Sequence, residues 1–191
     1  MTYKADYYQI PTGIDATVAD HIIKTSHLLG TERMRSRIGS TETGEVNKEL
    51  RNSIHRWLAT DCWIAGMMAH YINEANRNFF NFDLEGWADS IQYTEYKGKN
   101  THYAWHYDSS DAAFVSGGVR KLSISLLLSD PEDYEGGELQ LLHPGEKRMV
   151  TFKPNLGQAI IFPSYLQHRV RPLKSGNRFS LVGWYGGPPF R

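Results

Sequence analysis

A series of short apolar segments in the second half of the chain most limits the fold. Each segment is bounded by Gly, Pro, Asp or Asn, as strands and their turns require. The segments are ADSIQYTEY, THYAWHYD, LSISLLL, GELQLL, RMVTF, QAIIFP and FSLVGWY, with the KGKN turn between the first two. Regularly spaced short strands after a helical block are typical of a β-sandwich or barrel with helices packed on one side.

The first half of the chain shows the apolar spacing of helices. Asp15 is a candidate N-cap for a first helix, which Gly30 would end. Residues 31–46 are polar and predict a loop. From about Asn47 to Phe80, apolar residues recur at helical spacing, and Asp61 is the expected N-cap after a break in this stretch.

Composition excludes several function classes. The 191 residues favour one domain, and the 21 basic and 21 acidic side chains cancel, so no nucleic-acid partner is expected. The sequence contains neither an apolar stretch of about 18 residues nor an N-terminal signal segment, so we expect no membrane partner. The single cysteine, Cys62, fits a reducing compartment and a cytoplasmic location. Nothing in the sequence indicates an oligomeric state.

Four residues of the strand-rich half carry the chemistry: His106, Asp108, His168 and Arg178. Residues i and i+2 of a strand share a face, so His106 and Asp108 can point together into a barrel mouth. With His168 they form a 2-His-1-carboxylate ligand set, which leaves positions on a non-haem Fe(II) open for a co-substrate and O2. Arg178 could anchor the far carboxylate of that co-substrate.

The remaining histidines receive a plainer interpretation. Five of them are assigned to the surface or to a satisfied core position: His21, His27, His55, His70 and His143. His102 shares the alternation of His106, so it could line the pocket or lie solvated at a strand end.

Residues from about 88 to 187 resemble the Fe(II)/2-oxoglutarate-dependent oxygenases, specifically the prolyl-4-hydroxylase-like and PKHD-type hydroxylases. The matching stretches are IQYTEYKGKNTHYAWHYD, SISLLLSDPEDYEGGELQL, GQAIIFPSYLQHRV and NRFSLVGWY. The resemblance implies an α+β fold with a mainly β core, a double-stranded β-helix (jelly-roll) with N-terminal supporting helices. We expect a single oxygenase domain over residues 1–191, with a mostly helical lead-in to about residue 85 and a catalytic core over residues 86–187.

The resemblance also implies roles for individual residues. Iron would be held by His106, Asp108 and His168, and Arg178 would pair with the C5 carboxylate of 2-oxoglutarate. Ser180 matches the second position of the family's R-x-S element and would add a hydrogen bond there.

Further co-substrate contacts follow from the same resemblance. Tyr96 lies where relatives place a tyrosine that contacts the co-substrate, and Gln92 shares its face as a weaker candidate. Some prolyl hydroxylases carry a co-substrate tyrosine on the strand matching KLSISLLLS, which has no Tyr here. Ser123, Ser125 or Tyr96 could supply the missing hydroxyl.

Aromatic side chains surround the expected mouth of the pocket. Tyr103 and Trp184 match aromatic positions near the active-site mouth of relatives, and either packing or substrate contact would explain them. Together with Trp105 they could hold a proline ring. The small-residue-rich loop over residues 109–118 is proposed as a lid, with a plain surface loop as the alternative.

The implied activity is hydroxylation of a C–H bond with O2 and 2-oxoglutarate, with release of succinate and CO2 and with ascorbate as a possible further cofactor. A protein or peptide prolyl residue is the favoured substrate. The alternatives are another amino-acid side chain or small molecule, a non-catalytic jelly-roll binding module, and a cupin-like isomerase or dioxygenase that works without 2-oxoglutarate.

Overall fold

The computed structural model describes residues 6–31, 34–35, 49–109, 118–143 and 148–190. The helices are α1 (Ala16–Leu29) and α2 (Trp63–Ala75), and a π-helix (Asn76–Phe80) continues α2. The strands are β1 (Tyr8–Pro11), β2 (Met34–Arg35), β3 (Arg51–Asn52), β4 (Ile54–Leu58), β5 (Gly86–Trp87), β6 (Ile91–Lys97), β7 (His102–His106), β8 (Val119–Leu127), β9 (Tyr134–Gly136), β10 (Leu139–Leu142), β11 (Met149–Phe152), β12 (Gln158–Pro163), β13 (Gln167–Val170) and β14 (Leu173–Gly187).

The described strands form two antiparallel sheets. The large sheet has the order β1-β12-β8-β14-β6-β4-β2, with β5 and β9 also paired to β14. The small sheet has the order β11-β10-β13-β7-β3. Tyr96, Leu127 and Phe162 of the large sheet pack in one cluster with Leu141 and Val170 of the small sheet. Two facing antiparallel sheets with helices on one side make the expected double-stranded β-helix, an α+β fold with a mainly β core.

The two helices cover the outer face of the large sheet. Ile22 of α1 and Met68 of α2 share a fully buried cluster with Ile124 of β8 and Leu181 of β14. Burial of each such side chain stabilises the fold by roughly 1.5–3 kcal/mol. This cluster is separate from the one between the sheets, so the helices support the site from behind the large sheet.

Helix α1 begins and ends where its sequence predicts. The Asp15 carboxylate accepts a hydrogen bond from the Val18 N–H at 2.9 Å, which caps the helix. At the other end the Gly30 N–H donates to the Ser26 carbonyl at 3.1 Å.

The helical interpretation is wrong for residues 49–60, the described part of this stretch before α2. Ile54–Leu58 is a strand that pairs antiparallel with β6, with Ile54 opposite Glu95 and Leu58 opposite Ile91. The side chains that alternate inward just before and within this stretch are polar ones, Arg51 and His55 among them, and both are buried. A strand whose inner face is polar shows no apolar alternation, so its remaining apolar residues mimic helical spacing.

Two smaller expectations for the first half also change. Helix α2 takes Cys62 as its N-cap, without a side-chain capping bond, so Asp61 lies one residue too early for the role. Part of the predicted loop over residues 31–46 is strand, because Met34–Arg35 pairs with β4.

The KGKN turn joins strands of different sheets. β6 pairs with β14 and β4, whereas β7 pairs with β13 and β3. Gly98 and Asn100 both have positive φ, 79° and 66°. Such left-handed residues allow the sharp change of direction that carries the chain across the sandwich.

No helix within the described ranges is long and apolar enough to cross a membrane.

Candidate metal centre

His106 and His168 lie directly opposite each other on the paired strands β7 and β13. Asp108 follows two residues after His106, and its two carboxylate oxygens lie 3.6 Å from His106 Nε2 and 3.3 Å from His168 Nε2. One ligand atom from each residue lies within 4.8 Å of the others. The structure therefore brings together the three residues that the sequence predicts as metal ligands, at spacings that suit one metal ion.

Main-chain carbonyls orient both imidazole rings. His106 Nδ1 lies 2.8 Å from the Ala104 carbonyl, and His168 Nδ1 lies 2.9 Å from the Leu166 carbonyl. A ring that donates from Nδ1 has its Nε2 lone pair free for a metal, the arrangement found around most metal-ligating histidines. The donor set and its orientation therefore fit a divalent iron.

The pKa values of Asp108 and His106 favour ligation, whereas the shift of His168 reflects its contact with Asp108. Burial, with the neighbouring His168, lowers the pKa of His106 to about 3. Burial alone would raise the pKa of Asp108, but the charges of His168, His106 and Arg120 hold it well below its usual range. Burial also opposes protonation of His168, yet Asp108 raises its pKa. The carboxylate is thus ionised and His106 is neutral, as metal ligands must be.

Arg178 and Ser180 lie on β14 beside the site. Arg178 is only 1% exposed, and its Nη1 donates to Ser180 Oγ at 3.2 Å. Its Nε is buried without a hydrogen-bond partner among the described residues. A buried guanidinium with an unmatched donor fits the carboxylate of an anionic ligand. These residues therefore fit the far end of a dicarboxylate co-substrate.

Two tyrosines flank Arg178. Tyr96 pairs with it directly across β6 and β14, and the Arg178 Cζ lies 5.5 Å from the Tyr96 ring centroid. Burial raises the pKa of Tyr96, so its hydroxyl stays protonated and able to donate. Tyr134 of β9, which the sequence interpretation missed, is also buried, and a hydrogen bond with Arg178 opposes the rise in its pKa. Arg178 therefore has tyrosine neighbours on β6 and on β9, whereas β8 carries no tyrosine.

The extra residue in β7 decides which of its side chains face the site. His168 and Val170 are opposite His106 and Tyr103, so β7 has one residue more than β13 over this stretch. Tyr103 consequently stacks on His106, with 3.5 Å between ring centroids. Such a bulge breaks simple alternation.

Two candidate pocket residues, His102 and Trp105, lie away from the site. The ring nitrogens of His102 lie 2.9 Å and 2.8 Å from the carbonyls of Asn100 and Glu49, so this side chain does not line the pocket. On the outer side of the small sheet, the Cζ of Arg169 lies 4.7 Å from the ring centroid of Trp105.

A second arginine, Arg51 of β3, lies close to the metal ligands. Its Cζ lies 4.4 Å from the ring centroid of Tyr103, the residue that stacks on His106. Its side chain donates to Ser53 and Gln92, at 3.0 Å and 2.6 Å. The sequence analysis missed Arg51 because it assigned this segment to a helix. The polar residues that alternate toward the interior could have identified the segment as a strand.

Trp184 and Arg120 contact each other beside Asp108. The Cζ of Arg120 lies 4.2 Å from the Trp184 ring centroid, and Arg120 pairs with Asp89 at 2.6 Å. Its Nη1 also donates to the main-chain carbonyl of Asp108 at 3.1 Å. The indole N–H of Trp184 is buried without a hydrogen-bond partner in the described part of the chain. Trp57 lies nearby, 6.0 Å from Trp184 between ring centroids.

Ser123, the candidate on β8, donates to Asp108 Oδ2 at 2.7 Å. It therefore contacts a metal ligand rather than Arg178. The proposed lid over residues 109–118 falls almost entirely outside the described residues.

Solved structures of the same fold include prolyl hydroxylases. A prolyl-4-hydroxylase from Pseudomonas putida superposes with a TM-score of 0.66 at 18% identity, over 94% of this chain and 91% of that protein. A prolyl hydroxylase from Trichoplax adhaerens, solved with a hypoxia inducible factor oxygen degradation domain peptide fragment, gives a TM-score of 0.71 at 17% identity, over 94% of this chain and 83% of that protein.

Sequence relatives are PKHD-type hydroxylases. One from Crocosphaera subtropica is 36% identical over 99 residues, which are 50% of this chain and 41% of the relative. One from Polaromonas is 36% identical over 153 residues, 76% of this chain and 65% of the relative. The chain thus spans less than half of the length of the first and about two thirds of the second.

The family model of the 2OG-Fe(II) oxygenase superfamily matches residues 91–186, which include the three candidate metal ligands and Arg178. This match extends over just over half of the chain and includes strands of both sheets of the sandwich. The protein therefore belongs to the 2OG-Fe(II) oxygenase superfamily.

Proposed function

We propose that this protein is an Fe(II)- and 2-oxoglutarate-dependent dioxygenase that hydroxylates a peptidyl prolyl residue. One observation carries the proposal: two histidines and an aspartate converge in the same sandwich that fully buries Arg178, and Arg178 forms no ion pair with a carboxylate in the described part of the chain. The ligand set suits iron, and the arginine suits a dicarboxylate.

Each residue of the centre then has a part. His106, Asp108 and His168 hold the metal, and Arg178 and Ser180 bind the far carboxylate of 2-oxoglutarate, with the neutral hydroxyl of Tyr96 as a further donor. When bound, iron and 2-oxoglutarate supply the activation of O2 for hydroxylation, with formation of succinate and CO2. The surrounding protein orients these groups and excludes water from them.

Tyr103 and Trp184 are proposed to contact the substrate. Both are aromatic and contact groups of the centre, Tyr103 the ring of His106 and Trp184 the guanidinium of Arg120. A proline ring packs well on aromatic faces, and the unsatisfied indole N–H of Trp184 offers a donor to a peptide carbonyl. The solved relative that holds a peptide fragment supports a peptide as partner.

We also infer that residues 1–191 act as one oxygenase domain. Strands from the first half of the chain, β1, β2 and β4, extend the large sheet, and β3 extends the small one. The lead-in therefore contributes to the walls of the centre rather than forming a separate unit.

Purified protein, reconstituted anaerobically with Fe(II) and then supplied with O2, ascorbate and 2-oxoglutarate, tests the proposal. Succinate formation should depend on iron, and a panel of proline-containing peptides should yield a product heavier by one oxygen atom. A matched panel with alanine in place of each proline is the control. Absence of 2-oxoglutarate binding and of succinate would contradict the activity, whereas oxidation of the alanine peptides alone would contradict the prolyl substrate.

A further inference from the structure

Two buried serines form a hydrogen-bonded chain that ends on Asp108. Ser123 Oγ donates to Asp108 Oδ2 at 2.7 Å, and Ser164 Oγ lies 2.9 Å from Ser123 Oγ. Both serines are 0% exposed. They belong to different elements, Ser123 to β8 and Ser164 to the turn that follows β12.

The direction of these two hydrogen bonds follows from the number of protons that each group carries. A hydroxyl carries one proton and an ionised carboxylate carries none, so the bond between Ser123 and Asp108 uses the Ser123 proton. The bond between the two hydroxyls must therefore use the proton of Ser164. Both dipoles point toward the carboxylate, and such aligned bonds strengthen one another in a buried setting.

Ser164 also holds the main chain of the Asp108 turn. Its carbonyl accepts the N–H groups of Asp108 and Ser109, at 3.1 Å and 2.9 Å. Its own N–H donates to the Lys121 carbonyl at 2.9 Å, which fixes it to β8. Asp108 comes from the end of a small-sheet strand, yet the large sheet and its turn hold both its backbone and its side chain.

We propose that Ser123 and Ser164 are positioning residues that fix the rotation of the Asp108 carboxylate, so that it binds the metal through one oxygen. With Oδ2 engaged by Ser123, the second oxygen is kept from becoming a further ligand. A carboxylate that binds through both oxygens would occupy a position that a 2-oxo acid and O2 need. The inference rests on the proposed metal centre and extends it to the residues that keep the centre open.

Four variants test the two serines. Ser123→Ala removes the bond to Asp108, and Ser164→Ala removes only its support. Ser123→Thr keeps the hydroxyl and serves as the rescue variant. Ser26→Ala is the matched control, because Ser26 is also fully buried but lies on α1, where its hydroxyl donates to the Ile22 carbonyl.

Metal binding is measured on the apoprotein with Mn(II), by electron paramagnetic resonance titration, and the Co(II) absorption spectrum reports the number of ligands. Loss of an orienting partner weakens metal affinity by about 10- to 100-fold, and we expect this for Ser123→Ala. We expect a loss of several-fold for Ser164→Ala, and near wild-type affinity for Ser123→Thr and Ser26→Ala. The Co(II) spectrum of Ser123→Ala should shift toward higher coordination number.

The outcomes separate the inference from the proposed function. Wild-type protein that binds Mn(II), with Ser123→Ala and Ser164→Ala binding it equally well and giving an unchanged Co(II) spectrum, overturns the positioning role alone. Wild-type protein that binds neither metal overturns the metal centre and the positioning role together. If Ser123→Ala fails to fold, Ser164→Ala decides, since unchanged affinity there overturns the inference.

Discussion

The side chain of Arg51 crosses from the small sheet to the large one, where its Nη2 donates to Gln92 Oε1 at 2.6 Å. Arg51 is buried, and no carboxylate forms an ion pair with it in the part of the chain that the structure describes. Taking a lone charge out of water costs several kcal/mol, which two hydrogen bonds to neutral groups only partly offset. We therefore expect this charge to destabilise the resting protein and to be available to an anionic group of an incoming ligand.

Arg51→Met should therefore raise the stability of the apoprotein while it lowers turnover of the substrate. Methionine fills a similar volume without the charge, and Gln92 Oε1 keeps its bond from Thr94 Oγ1. We expect the free energy of unfolding to rise by about 1 kcal/mol, measured by urea denaturation. Arg56→Met is the control, because Arg56 is half-buried and bonds the Thr31 carbonyl at the surface. A clear loss of stability in Arg51→Met would show that Arg51 is structural.

Replacement of Arg178 should act on the co-substrate and spare the metal. Arg178→Ala removes a charged contact to the far carboxylate, so the concentration of 2-oxoglutarate needed for half-maximal succinate formation should rise by roughly 10- to 1000-fold. Mn(II) affinity of the apoprotein should stay near the wild-type value, because Arg178 contacts Ser180 rather than the candidate ligands. An unchanged requirement for 2-oxoglutarate would remove Arg178 from this role.

Replacement of a candidate metal ligand should abolish metal binding, which replacement of Arg178 should leave intact. His106→Ala and Asp108→Ala each leave two of three ligands, so Mn(II) binding and iron-dependent succinate formation should fall below detection. The far-ultraviolet circular dichroism should persist, because the β7–β13 pairing does not depend on these side chains. His102→Ala is the control, since His102 lies on the same strand but bonds main-chain carbonyls away from the centre. Retained metal binding in either ligand variant would contradict the centre.

His55 should make the folded protein sensitive to acid. Burial and the charge of Arg51 lower the pKa of His55 from 6.5 to about 4. The unfolded chain takes up this proton below 6.5, whereas the folded protein takes it up only near 4. Neutral His55 therefore contributes its full stabilisation above pH 6.5. As the pH falls from 6.5 toward 4, the free energy of unfolding decreases by about 3 kcal/mol.

His55→Gln should flatten this dependence, measured as the free energy of unfolding at about pH 7 and about pH 4.5. His70→Gln is the control, because the His70 side chain is 68% exposed and should leave the slope unchanged. Equal slopes in His55→Gln and the wild type would show that another group controls the acid response.

The candidate metal ligands and the strands of the sandwich could be predicted from sequence because much of their signal is local. His106 and Asp108 are two residues apart, and His168 and Arg178 lie within the adjacent strand-rich segment. Burial of the short apolar strands on both sheets preserves their pattern. Local spacing and alternation thus predicted a β-sandwich or barrel and a shared face for His106 and Asp108, and the resemblance to the oxygenase family implied the jelly-roll and the iron ligand set.

The contacts around the candidate metal centre depend on the pairing of strands that are distant in sequence. Local sequence patterns do not encode this pairing. Arg51 is 41 positions from its partner Gln92, and Tyr134 reaches Arg178 through the pairing of β9 with β14. The bulge in β7 turned His102 outward and Tyr103 inward against plain alternation. Polar side chains of β3 and β4 point into the sandwich. These strands therefore lack apolar alternation, and the sequence analysis assigned them to a helix.

The two histidines of the centre take their orientation from carbonyls two residues upstream on their own strands, at Ala104 and Leu166. Every amino acid supplies a main-chain carbonyl, so no point substitution at either position removes that acceptor. Asp108 instead depends on a side chain, Ser123, which a single codon change can erase. The three candidate ligands thus differ in mutational tolerance, and substitutions around Asp108 should disable the proposed metal centre more readily than substitutions around either histidine.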